Sequence, residues 1–247
     1  MRILRLIPAL LAPLALAACV TAAPANRDYT GFRAADPHSI AIVPAVNRSV
    51  EVTAADYYLS TITVPLAERG YYVFPVHLVK RVMEDDGLAD ADLVHSQPAE
   101  KVAELFHADA VFYVSIEVWE SNYAVLATTT RVSLAYTMKD GHTGETLWDD
   151  TEELVYQPQS SGGGIGGLIA QAIVAAAERA APNYMPLARQ ANAMAVTRAG
   201  RGLPAGPYAP AYTKDGDVFP SGQATKAPEP GAETAKAEPA KPEAAKP

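Results

Sequence analysis

Residues 109–119 read Asp-Ala-Val-Phe-Tyr-Val-Ser-Ile-Glu-Val-Trp, and nearly every position is apolar or β-branched. That composition predicts a strand, and what flanks it decides the fold. Downstream, Val125–Met138 alternates loosely, with Val132, Leu134 and Tyr136 on one face and Arg131 and Ser133 on the other. Asp140-Gly141-His142-Thr143-Gly144 is a turn cluster, and Glu145–Tyr156 is the return strand. These segments make a long antiparallel hairpin.

Upstream, the periodicity changes. Ile40–Pro44 is a short apolar run that predicts a buried strand. Thr53–Arg69 reads as a helix, with Thr53 and Asp56 in capping-box spacing and Tyr57, Leu59, Ile62 and Leu66 roughly on one face. Pro65 predicts a kink or break near Val64, and Gly70 ends the helix. Tyr71–Val76 is a second strand. Leu78–Glu84 is a short helix stopped by Gly87, and Pro98–His107 is another. The order β-α-β-α-α-β calls for right-handed crossovers and parallel strands. The expectation is therefore an α/β domain with a mixed sheet, parallel in its first half with an antiparallel hairpin after, covered by helices.

Beyond the hairpin, Ser160–Gly167 reads as a glycine-rich loop. Ile165, Leu168, Ile169, Ala172, Ile173 and Ala176 then repeat at helical spacing, and Pro186–Thr197 forms a further helix after Pro182. The helix from Ile165 to Ala177 is too short for a membrane span. Its small residues suit close packing, against the sheet or against a second copy in a homo-oligomer. The folded region is expected over residues 38–212. Residues 213–247 are expected to be a disordered tail of Ala, Pro, Lys and Glu, since Gly222–Pro247 holds no aromatic or large aliphatic side chain.

The chain has 247 residues, a net charge of −8 and 49% hydrophobic residues, enough for a sizeable core. A pI near 5.1 argues against nucleic acid as a partner. One cysteine excludes an intramolecular disulfide and a cysteine-based zinc cluster.

That cysteine closes a leader. Arg2 and Arg5 precede an apolar run from Leu6 to Ala18, which is the pattern of a secretory signal in residues 1–18. Leu16-Ala17-Ala18-Cys19 resembles the bacterial lipobox, in which the thiol receives diacylglycerol and the mature N-terminus a further acyl chain such as palmitate. Three chains exceed the two signals that stable anchoring needs. Loss of Arg2 and Arg5 takes the net charge from −8 to −10. Aspartate after the cysteine is the inner-membrane retention signal of enteric-type sorting; Val20 stands there, which points to the outer membrane, facing the periplasm. Residues 19–37 are small, polar and proline-containing, and read as a lipidated linker.

Catalytic machinery is not evident. His38, His77, His95, His107 and His142 have no metal-ligand spacing. Adjacent Asp149 and Asp150 on a strand must point to opposite faces, so they cannot flank a substrate as a pair; they, Asp85-Asp86 and Glu152-Glu153 read as solvated charge. Gly162-Gly163-Gly164-Ile165-Gly166-Gly167 invites a nucleotide-loop reading, but it lacks the Lys-Ser/Thr ending and follows an antiparallel strand. No Gly-x-Ser-x-Gly elbow occurs. No catalytic, metal-binding or cofactor-binding residue is therefore expected, and Cys19 is the one residue expected to be functional.

Four strings carry a resemblance: Ile42–Val50, Pro65–Val76, Ala108–Val114 and Thr143–Trp148. With the lipobox they resemble a family of Gram-negative outer-membrane lipoproteins without an assigned function, over Cys19 to about Tyr212. The Thr143-Gly144-Glu145-Thr146-Leu147-Trp148 turn is also similar to one in the wider group of the curli-secretion lipoprotein, the penicillin-binding-protein activator lipoprotein and the N-terminal domain of TolB. The resemblance implies a small α/β domain used for assembly and binding, with other envelope lipoproteins or secretion components as partners. The expected role is a lipid-anchored, non-enzymatic component of an envelope secretion or transport system. The alternatives are a nucleotide-binding or hydrolytic enzyme using the Gly162–Gly167 loop, and a spacer whose tail contacts peptidoglycan.

Overall fold

The computed structural model describes residues 27–124, 127–156 and 184–222. All lie in one compact unit of the chain, Asn26–Ala224. Strand β1 (Ser39–Ile42) lies between β3 (Tyr72–Val73) and β4 (Ala110–Ala124), parallel to both. The short β2 (Val46–Asn47) runs parallel to β4 at Ser115 and Ile116. Strand β4 then pairs antiparallel with β5 (Ala127–Asp140), and β5 with β6 (Thr146–Tyr156). The result is a mixed six-stranded sheet, parallel in its first half and antiparallel after as the sequence predicts, with β2 as a strand that was not expected.

Strand β4 is apolar at consecutive positions because it is covered on both sides. Phe112, Val114 and Ile116 face one way, where they meet Tyr58, Leu59, Ile62 and Leu66 of α2 (Ala54–Glu68) and Ala188, Ala191 and Ala195 of α6 (Met185–Thr197). Val111 and Tyr113 face the other way. They meet Val79 and Met83 of α3 (Val76–Asp85), Val94 of α4 (Ala91–Ser96), and Ala99, Val102 and Ala103 of α5 (Ala99–Phe106). Trp148 is 1% exposed and stacks on Phe112 at 6.0 Å, so the tryptophan of the turn motif caps the main core.

One polar chain crosses that core. The Tyr136 hydroxyl donates to Asn192 Oδ1 at 2.8 Å, and Asn192 Nδ2 donates to the Thr61 hydroxyl at 2.8 Å. Thr61 in turn donates to the Tyr58 carbonyl at 2.6 Å. The Tyr136, Asn192 and Thr61 side chains thus satisfy one another, and the chain fixes α2 and α6 against β5.

Several local expectations are corrected. Thr53 makes no capping-box bond; its hydroxyl and backbone N–H both donate to the Glu51 carboxylate, and Asp56 pairs with Lys80 instead. Helix α2 runs unbroken through Pro65, because Ile62, Pro65 and Leu66 are all buried and their packing offsets the missing hydrogen bond. Strand β3 is two residues long, not six: Pro75 has no N–H for the ladder, and Val76 starts α3. Helix α4 was not expected; Asp90 caps it by accepting from the Leu93 N–H at 3.0 Å.

The glycine stops behave as predicted. Gly70 has φ +96°, with Gly70 N–H donating to Ala67 and Tyr71 N–H to Leu66, which is a Schellman ending. Gly87 (φ +82°) ends α3 in the same way, through Met83 and Glu84.

Both edges of the folded region are wider than 38–212. Residues 30–35 form helix α1 (Thr30–Ala35), and Tyr29 and Phe32 are buried in the main core. A linker would leave these rings in water; burying them ties this stretch to the sheet. At the other end, Asp215 and Phe219 are packed, so 213–222 belongs to the domain as well.

Candidate functional site at the tethered end

Cys19 and the leader lie outside the described residues, as do the Gly162–Gly167 loop, the Ile165–Ala177 helix and the chain after Gly222. What is described is the end of the domain to which Cys19 is joined. The Arg27 N–H donates to the Gly200 carbonyl at 3.1 Å, and its guanidinium reaches Asp149 at 3.3 Å and lies over the Trp148 ring. Tyr29 N–H donates to the Pro220 carbonyl at 3.0 Å, and its hydroxyl to the Gly202 carbonyl at 2.6 Å. The Tyr29 ring meets Phe219 edge-on at 5.3 Å. Gly222 N–H donates to Asp28 Oδ1 at 3.1 Å and to the Thr30 hydroxyl at 2.7 Å. The first and last described residues thus close on one another. Bonds from the Thr30 hydroxyl and N–H hold the Asp28 carboxyl below its usual pKa.

Behind this closure sits Asp215, whose side chain is 9% exposed. Its carboxylate accepts from Arg33 at 2.6 Å, from Arg69 at 3.4 Å and from the Ala205 N–H at 2.6 Å. Burial would raise its pKa, but the Ala205 and Arg33 bonds more than offset that and hold it low. The segment after Leu203 crosses the end of α2 at backbone contact. Gly206 N–H donates to the Arg69 carbonyl and Tyr208 N–H to the Gly70 carbonyl. A Cβ at Gly206 would stand 2.3 Å from the Gly70 oxygen.

A second charged cluster lies on β6. Asp149 and Asp150 do point to opposite faces: Asp149 is exposed beside Arg27, and Asp150 is buried. The reading of these acids as solvated charge is overturned for Asp150 and Glu152, which are 4% exposed each. Arg201 bonds Asp150 at 2.9 Å, and Arg198 lies against Glu152 with Asp150 Oδ2 at 3.8 Å. Burial raises the Glu152 pKa; Arg198 opposes it, and Asp150 adds to it. The sequence did carry a signal. Trp148, Asp150 and Glu152 share one parity along the strand, so a buried Trp148 sends both acids inward. Nothing comparable announced Asp215, because its partners Arg33 and Arg69 are far away in the chain.

The arrangement binds segment to segment. Asp150, Glu152 and Asp215 each face arginine, while the buried Asp140 accepts from the His142 and Thr143 N–H groups. The histidines are scattered: His38 beside Asp36, His142 beside Asp140, His107 in the left-handed turn after α5, and His95 on the Pro44 carbonyl at 3.0 Å. Burial lowers the His95 pKa. Among the described residues, no three His, Cys, Asp or Glu side chains gather as metal ligands, and no helix is long and apolar enough to cross a membrane.

Comparison with known proteins gives the chain relatives. The family model described as "Putative lipoprotein GNA1162-like" matches residues 27–208. A Neisseria meningitidis serogroup B protein, "Putative lipoprotein NMB1124/NMB1162", is 34% identical over 169 residues, 68% of this chain and 79% of the relative. The crystal structure of lipoprotein GNA1162 from Neisseria meningitidis is 30% identical, covers 58% of this chain and 99% of that one, and superposes with a TM-score of 0.48. The PelC dodecamer from Paraburkholderia phytofirmans is 16% identical over 63% of this chain and 86% of that one, with a TM-score of 0.36.

Proposed function

The chain belongs to the GNA1162-like lipoprotein family, and we propose that it is a non-catalytic lipoprotein of the outer membrane, acylated at Cys19 and facing the periplasm. The observation that carries this reading is Leu16-Ala17-Ala18-Cys19 closing a secretory leader, eight residues before the family match begins at Arg27. Val20 in place of aspartate supports the outer membrane over the inner.

The domain acts by binding other envelope proteins in an assembly, secretion or transport system. Anchoring confines it to a surface, which raises its effective concentration toward partners held on the same membrane.

The test is Cys19→Ala expressed in its envelope and fractionated. The variant is expected to appear as soluble or uncleaved protein, while the parent chain sediments with outer membrane. Retention of the variant in outer membrane after salt and carbonate washing would overturn the reading.

A further inference from the structure

We infer that the end of the domain carrying Arg27 and Gly222 is its lipid-facing end, so that the chain after Gly222 starts in the layer next to the bilayer. The inference rests on acylation at Cys19, and adds to it which surface meets the membrane and where the C-terminal segment begins.

Two observations carry it. The first is the closure of the two ends: Gly222 N–H is bonded to Asp28 and Thr30, and Tyr29 N–H to Pro220. Whatever position the N-terminal tether imposes on Arg27 is therefore imposed on Gly222. The second is length. Eight peptide links join Cys19 to Arg27, which span at most about 28 Å when fully extended. A spacer running to residue 37, as its composition suggests, would allow more than twice that. Docking of α1 into the core removes this slack.

The far end of the hairpin is the reference point most distant from that closure. Arg27 pairs with Asp149, which stands opposite Thr137, which stands opposite Tyr113. Asn122 lies nine residues further along β4, about 30 Å at the usual rise per strand residue. The lipid-facing end carries exposed Asp28 and Asp217 together with exposed Lys214 and part-exposed Arg27, a balanced set with no excess of cationic charge to draw it to anionic headgroups.

The test uses the full-length acylated protein in vesicles of zwitterionic lipid with an acceptor dye on a fraction of headgroups. Acylation consumes the Cys19 sulfur, and the chain has no other cysteine, so Ser221→Cys and Asn122→Cys each provide one thiol for a donor dye. Ser221 and Asn122 are both exposed, and neither substitution disturbs the core. Energy transfer is expected to be the stronger from position 221, and unchanged by added salt. Equal or stronger transfer from position 122, in protein that floats with the vesicles and carries the acyl mass, overturns the inference and leaves the anchor standing. Protein that neither floats nor carries that mass overturns both.

Discussion

Arg33 and Asp215, separated by 182 positions in the sequence, meet at 2.6 Å beneath the closure of the two chain ends. Arg69 shares the same carboxylate, and Ala205 donates its N–H to it. Removing that one acid leaves two part-buried guanidinium groups without a counter-charge, holding only the Leu203 and Phe219 carbonyls. Asp215→Asn is therefore expected to cost about 2–4 kcal/mol in urea unfolding, near the lower range for breaking buried pairs. Asp217→Asn, at an exposed position, is the control and is expected to be neutral.

The two acid sites respond to pH with opposite sign. Asp215 has a lowered pKa in the folded state. It contributes stability above the unfolded carboxylate pKa of about 3.9, lost as pH falls below that through the folded value. Glu152 has a raised pKa. The folded state binds its proton more readily, so this group adds stability as pH falls from neutrality toward its unfolded value of about 4.3. Unfolding measured from pH 7 to pH 4.5 should show the parent chain gaining stability relative to Glu152→Gln. A constant difference across that range would contradict the assignment.

Glycine positions separate close contact from open space. Gly206→Ala puts a Cβ into the Gly70 carbonyl, and Gly70→Ala meets Ala209 at 2.5 Å with φ at +96°. Each is expected to lower stability by about 2 kcal/mol or more. Gly31 lies inside α1 with nothing within 4 Å of a Cβ. Gly31→Ala is expected to stabilise by about 0.5–1 kcal/mol through helix propensity. Thermal melts of the three variants check both directions.

Trp148 joins the turn motif to the core. It stacks on Phe112, lies 6.0 Å from Tyr136, and donates its indole N–H to the Arg201 carbonyl at 2.7 Å. Trp148→Ala is expected to cost about 3–5 kcal/mol; Trp148→Phe, which keeps the ring and loses the hydrogen bond, should cost less. Equal losses in the two variants would show that the bond and not the packing matters.

The long strands of the sheet were legible because they announce themselves locally, whereas the two-residue β2 was not. Asp109–Trp119 is nearly all apolar or β-branched, and the Asp140–Gly144 turn marks the hairpin return. Gly70 and Gly87 mark their helix ends because only a left-handed residue permits the Schellman bonds. The domain edges were not legible. Arg27–Ala35 and Thr213–Ser221 set single aromatic rings among small and polar residues with no helical or strand period, and nothing local shows that Tyr29, Phe32 and Phe219 bury each other across the chain. The candidate site shares this character. Asp150 and Glu152 were named from the sequence and Asp215 was not; the arginine partners of all three come from distant segments, and only the tertiary fold brings Arg33, Arg69, Arg198 and Arg201 to them.

The proposal that the chain working in the envelope begins at an acylated Cys19 is a statement about covalent chemistry. Intact-mass measurement of the protein purified from its native membrane tests it directly. The predicted species lacks residues 1–18 and is heavier than the remaining polypeptide by a diacylglyceryl group and one further acyl chain. A polypeptide that keeps its leader, or one that starts elsewhere with no fatty addition, contradicts the claim.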